Sequence, residues 1–179
     1  MIENDLQFDF SKALKPARRF DDENHGLSHC MKAVDFIIEL NDKILFIEVK
    51  DPQHPRVSKE ELTRFLAKLK SKELVNKELI PKCRDSFLYE YAMNNLGKPV
   101  FYYVLIAIDA LTKAELFYQT DILRKHIPVE GIPENPWQNR FIEGCMVMNI
   151  DTWNLYLPEY PVSRISEQLT SLKPVNSIS

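Results

Sequence analysis

VDFIIELNDKILFIEVKDP, running from Val34 to Pro52, is the stretch that decides the fold. Two apolar runs, about 33–40 and 43–50, flank Asn41-Asp42. Both of these residue types tolerate the left-handed backbone that a two-residue hairpin turn requires. Pro52 and Pro55 end the second run. With this turn Leu40 faces Lys43 and Asp35 faces Glu48, and facing Cβ atoms in such a pair lie about 4.5–5.5 Å apart. Lys50, two residues past Glu48, projects from the same side of the strand. The opposite side reads Val34, Phe36, Ile38 and Leu40 against Leu45, Ile47 and Val49, which is plain core. The side bearing Asp35, Glu48 and Lys50 also carries Ile37, Ile44 and Phe46, so most of it is covered too. The acids sit at the end away from the turn, where a cleft has room to open.

The sequence around the hairpin supplies helices and further strands. Before it, DFSKALKPARRF gives a helical pattern through Phe10, Ala13, Leu14 and Ala17, weakened by Pro16. The polar stretch DDENHGLSH reads as a loop. After the hairpin, Ser58 and Glu61 form a capping box ahead of Leu62, Phe65, Leu66 and Leu69 at helical spacing. That helix is expected to reach about Ile80 and to break or kink at Pro81. A second helical segment then runs to Gly97 as its C-terminal cap. PVFYYVLIAID reads as a strand buried on both faces. Thr112 and Glu115 open another helix reaching about His126, and a Pro-rich loop follows. EGCMVMNI is a last strand, and Asp151 is the expected cap of a short helix stopped by Pro158. The connection from 50 to 99 is long and helical, as a parallel crossover requires. The fold class is therefore α/β, a mixed sheet flanked by helices on both faces. Residues 1–170 are expected to form one domain and 171–179 a disordered tail.

Composition narrows the classes of function. The 179 residues carry a net charge of −3, which argues against a simple cationic nucleic-acid binder. Locally the balance differs: residues 56–84 hold nine Lys/Arg against four Glu, and KALKPARR adds four cations. No apolar run reaches the roughly 18–20 residues of a membrane helix, and the acidic N-terminus lacks signal-peptide features. The expected location is cytoplasmic, without membrane contact. Cys30, Cys83 and Cys145 form no CxxC pair and read as reduced, mostly buried thiols. Four glycines and no Gly-rich loop argue against a nucleotide-binding fold, and no serine sits in a GxSxG elbow.

Two carboxylates placed side by side repel each other, and left alone one would tend to take up a proton. A divalent cation removes the conflict. Mg²⁺ (or Mn²⁺) suits the site because it needs only one or two carboxylates and fills its other positions with water and phosphate oxygens. A lysine alongside can orient a water or hold developing negative charge. The bland alternative is a salt-bridge cluster of Lys50 with Glu48 or Asp35.

Asp35, then twelve residues, then Glu48-Val49-Lys50 resembles the PD-(D/E)xK nuclease signature, and the order of elements around it resembles the restriction-endonuclease-like core of αβββαβ type. The Pro that usually precedes the Asp is Val34 here. The resemblance spans about residues 10–125. It implies that Asp35 and Glu48 ligate Mg²⁺, with the Val49 carbonyl as a further ligand, and that Lys50 positions or activates the attacking water. An additional acid comes from the first helix in many members, and Glu23 is the closest candidate. His25 could line the cleft, and Lys82 and Arg84, in PKCRDS, could touch phosphates or second-shell acids. The expected activity is metal-dependent hydrolysis of nucleic acid, with DNA favoured and a homodimer or protein partner compatible with so small a domain. The alternative is a nuclease fold without cleavage that serves as a nucleic-acid-binding or protein-interaction module. A third possibility is a small enzyme or interaction protein unrelated to nucleic acid.

Other features carry less. His25 and His29 are four apart beside Cys30, a spacing that could bind zinc on a helix, but Gly26 disfavours a helix and no fourth ligand is near. The basic face of 59–77 reads as a solvated helix face. Phe101, Tyr102 and Tyr103 read as core, and Trp137 and Trp153 as anchors of loop packing.

Overall fold

The structure, a computed structural model, describes residues 1–22, 26, 29–127, 134–135, 137–138 and 140–171. Glu23, His25 and the tail from residue 172 lie outside the described residues. The hairpin forms from β4 (Phe36–Glu39) and β5 (Ile44–Lys50). Its register is the one the turn dictates: Phe36 pairs with Ile47, Glu39 pairs with Ile44, and the Leu40 amide donates to the Lys43 carbonyl at 2.8 Å.

A five-stranded mixed sheet grows outward from this hairpin in the order β3-β4-β5-β6-β7. β3 (Arg18–Arg19) runs antiparallel to β4, whereas β6 (Val100–Ile106) and β7 (Gly144–Met148) run parallel to β5. β5 thus has a bonded neighbour on each edge and cover on both faces. That is why ILFIEVK is buried almost throughout. The sheet's free edge at β7 is blunted by α3 (Lys113–His126), whose Thr120 hydroxyl accepts the Val147 amide at 2.9 Å.

One face of the sheet packs Ile37, Ile44, Phe46, Tyr102 and Val104 against α1 (Lys59–Lys70), a π turn (Val75–Leu79), α2 (Ile80–Ala92) and α3. The other packs Phe36, Ile38, Leu45, Ile47 and Val49 against Leu6, Phe8, Trp153 and Val162. These belong to α4 (Ile150–Tyr156) and to a small antiparallel sheet ordered β1-β2-β8. That sheet joins β1 (Ile2–Glu3) and β2 (Leu6–Phe8) to β8 (Val162–Arg164), which runs directly into α5 (Ile165–Ser171). Helices do flank the sheet on both sides, but a second layer of strands does most of the covering on one of them. Among the described residues no helix is long and apolar enough to cross a membrane.

Several expectations are corrected. No helix forms over 10–17. The segment turns at Phe10–Ala13, and its Leu14 amide donates to the Glu39 carbonyl, while Pro16 disfavours helical backbone before it. The αβββαβ pattern therefore lacks its first helix. Between α1 and α2 the break falls at Lys72, a non-glycine residue with φ of 64°, and not at Pro81. Pro81 lacks an amide proton and frees the carbonyl four residues back. The helix absorbs this by widening into the π turn, with the Ile80 amide reaching the Val75 carbonyl. The Lys32 ammonium takes the freed Lys77 carbonyl at 2.6 Å. α2 is closed by Asn94 (φ 57°), two residues past Ala92, and not by Gly97, with the Asn95 amide on the Glu90 carbonyl in a Schellman arrangement. Asn149, not Asp151, caps α4. Val34 packs with Ile37 and Phe46 and not with Phe36, because the chain leaves the ladder at Asp35. Trp153 is wholly buried and donates to the Tyr160 carbonyl, whereas Trp137 is 49% exposed. Of the free cysteines only Cys83 is buried.

Candidate functional site

Asp35 precedes β4 at a bend, and its position across from Glu48 continues the hairpin register. The ladder does not continue with it. The Val49 amide, which would bond the Val34 carbonyl, instead donates to Asp35 Oδ2 at 2.5 Å. The Val34 amide is taken by Ser86 Oγ at 3.0 Å, and the Lys32 amide by Asp85 Oδ2 at 3.0 Å. α2 thereby fixes the chain leading into β4, and the Phe20 amide on the Asp35 carbonyl (2.9 Å) fixes it from β3. Asp35 is 4% exposed and Glu48 0%.

The two acids converge on one cation, the ammonium of Lys82. Its Nζ lies 3.2 Å from Asp35 Oδ1 and 2.8 Å from Glu48 Oε1. Lys50 Nζ lies 3.0 Å from the same Glu48 oxygen and 3.0 Å from Glu78 Oε2, while Lys68 Nζ reaches Glu78 Oε1 at 3.2 Å. Charges therefore alternate along Asp35, Lys82, Glu48, Lys50, Glu78 and Lys68. The contacts at Glu48 Oε1 are ionic and lack hydrogen-bond alignment, and Oε2 has no hydrogen-bond partner among the described residues. A buried carboxylate left in this condition is costly.

The electrostatics follow from burial and from these neighbours. Burial and then the Asp35 charge push the Glu48 carboxyl up to about 7, against the pull of Lys50 and Lys82. Burial alone would lower Lys50, but Glu48 and Glu78 overcome it and raise its pKa. Lys82 is raised in the same way, by Glu48 and Asp35 against its burial. Glu78 is lowered, because hydrogen bonding and charge from Lys50, then Lys68, outweigh its burial. Two residues past β3, Asp21 is raised by burial and then by the Asp35 charge, so it lies within electrostatic reach of Asp35.

The structure thus brings Asp35, Glu48, Lys50 and Lys82 together, with the Val49 backbone beside them. It does not bring in Arg84, which points to solvent and pairs with Asp85. His29 and Cys30 are exposed, and among the described residues no three His, Cys, Asp or Glu side chains group as a metal-binding set. Sequence reading missed Glu78 and Lys68. A signal for Glu78 was present in its spacing, since it precedes Lys82 by four residues and so shares its helix face. Beside Lys50 lies a cleft of about 440 Å³, floored by Lys50, Asp51 and Pro52 and walled by Val57, Glu61, Arg64, Phe65, Lys68 and Glu78. Asp51 is held at its floor by Arg164, whose guanidinium lies 3.0 Å from Asp51 Oδ1 and donates to the Ala107 carbonyl at 2.8 Å.

No family model matches the chain, and neither a curated protein nor a solved structure matches it.

Proposed function

We propose that this protein is a divalent-metal-dependent nuclease of the PD-(D/E)xK kind that hydrolyses phosphodiesters in nucleic acid, DNA being the favoured polymer. The observation that carries this reading is the convergence of Asp35 and Glu48, from neighbouring strands, on a single cation with Lys50 alongside. The order of elements supports it: three antiparallel strands, a helical crossover, then a strand parallel to the third.

The residues present fit Mg²⁺ or Mn²⁺. Glu48 offers an oxygen without a partner, both acids are hard oxygen donors, and two carboxylates suffice for Mg²⁺. The Val49 carbonyl, on the β5 edge facing β4, is a compatible third donor. Bound there, the metal would polarise a phosphate and lower the pKa of a coordinated water. A bound metal would take over the charge that the Lys82 ammonium balances between the acids, and Lys82 would have to give up that place. Its side chain retains a path outward, being 20% exposed. Lys50 keeps its proton, given its raised pKa, so it orients water and stabilises negative charge and does not act as a base. Glu78 is the positioning residue that holds Lys50 toward Glu48.

The test is cleavage of plasmid and single-stranded substrates with Mg²⁺ or Mn²⁺, compared with Lys50→Ala and Asp35→Asn, together with calorimetric titration of Mn²⁺. Metal-dependent cleavage lost in both variants is expected. Metal binding with no cleavage of any nucleic acid would favour the second reading, a nuclease fold used only for binding. The near-complete closure of the acid pair under Lys82 is what favours that alternative. Absence of divalent binding would reject the metal site itself.

A further inference from the structure

We propose that the cleft beside Lys50 is a phosphate subsite for one strand of nucleic acid, with Arg64 as its anchor. This rests on the nuclease reading and extends it to how substrate is held. Arg64 and Phe65 each lie three or four residues from Glu61 and from Lys68, so α1 turns one face into the cleft. The ionic groups along its walls are nearly all committed. Asp51 is held by Arg164, the Glu61 carboxylate is tied to the Ser58 amide in the capping box, and Glu78 is shared by Lys50 and Lys68. Arg64 alone has no acid within ion-pairing distance among the described residues. Among the described residues its one side-chain hydrogen bond runs from Nε to the Glu60 carbonyl at a long 3.4 Å, which leaves both terminal nitrogens available. A guanidinium presented in this way matches two oxygens of a phosphate, a geometry that a lysine cannot reproduce.

The position of the cleft says which phosphate. Lys50 belongs both to the acid site and to the cleft floor, so a phosphate at Arg64 belongs to the same chain as the one being cleaved. Arg64 is itself exposed, so the phosphate of one nucleotide can reach it. The half-buried Phe65 offers apolar surface to the sugar or base of that nucleotide.

The experiment uses the full chain and a fluorescein-labelled single-stranded oligonucleotide. Anisotropy is read in Ca²⁺ across a KCl series, and KM and kcat are read in Mg²⁺. Arg64→Ala is expected to weaken binding about five- to tenfold near 0.1 M salt and to reduce the salt slope by roughly one phosphate contact. KM should rise with kcat within about twofold, Arg64→Lys should recover only part of the loss, and Arg84→Ala should change nothing. A wild type that cleaves while Arg64→Ala leaves affinity, slope and KM unchanged overturns the subsite and spares the nuclease reading. A wild type that neither binds nor cleaves nucleic acid overturns both.

Discussion

Replacing Glu48 with Gln tests the electrostatics of the site without any assumption about substrate. The Glu48 carboxyl is raised from 4.5 to about 7 in the folded chain. A raised carboxyl binds its proton more tightly folded than unfolded, so its contribution to stability is fully present below about 4.5. It fades as pH rises through about 7. Integrating between pH 5 and pH 8 gives a loss of about 2–3 kcal/mol from this one group. Glu48→Gln cannot titrate, so the difference in unfolding free energy, wild type minus variant, should fall by about that amount over the window. Urea melts followed by tryptophan fluorescence at half-unit pH steps measure it, with the wholly buried Trp153 as reporter. Adding millimolar Mg²⁺ should flatten the wild-type curve, because a bound cation compensates the ionised acid. A difference that stays level or rises with pH would refute the reasoning, since it would mean that Lys50 and Lys82 outweigh burial and hold Glu48 ionised throughout.

Three other perturbations probe separate parts of the structure. Lys82→Met removes the ammonium competing for Asp35 and Glu48 and should tighten Mn²⁺ binding at least tenfold by calorimetry; unchanged affinity would mean that Lys82 does not occupy the cation's place. Arg164→Met leaves Asp51 buried without its partner and should cost about 3–5 kcal/mol in urea melts, and a loss under 1 kcal/mol would contradict the burial of that pair. Thr112→Ala breaks the capping box that opens α3 and should cost about 1 kcal/mol, with Thr112→Ser restoring most of it; equal stability of all three proteins would remove the cap from the account.

Much of this was legible because local chemistry decided it. Asn41-Asp42 fixed the hairpin register, and that register placed Asp35 across from Glu48 before any packing was known. The Ser58 and Thr112 boxes opened their helices where expected because each satisfies its own amides with residues three positions away. Decisions made at a distance were not legible. Lys72 takes a left-handed backbone that glycine would normally signal. Pro81 is tolerated because the Lys32 side chain, far away in sequence, takes the carbonyl it frees. The aromatic Phe8 and Phe10 belong to a second layer, so a helical pattern through Phe10 was a coincidence of spacing. In the site itself the acids and Lys50 could be read from one hairpin. Lys82 was visible only as one of several cations in a helix, and nothing local indicated that it would close over both carboxylates.

The pairing of β2 with β8 ties residues 6–8 to residues 162–164. During synthesis, Leu6 and Phe8 have only the two-residue β1 beside them until more than a hundred and fifty later residues have emerged. The hairpin, its crossover and β6 can assemble first, while the face bearing Phe36, Ile38 and Ile47 stays wet and adhesive. Nascent chains stalled before residue 162 should therefore depend on chaperones, and the half of the molecule bearing Asp35 and Glu48 should take shape before its opposite side is sealed.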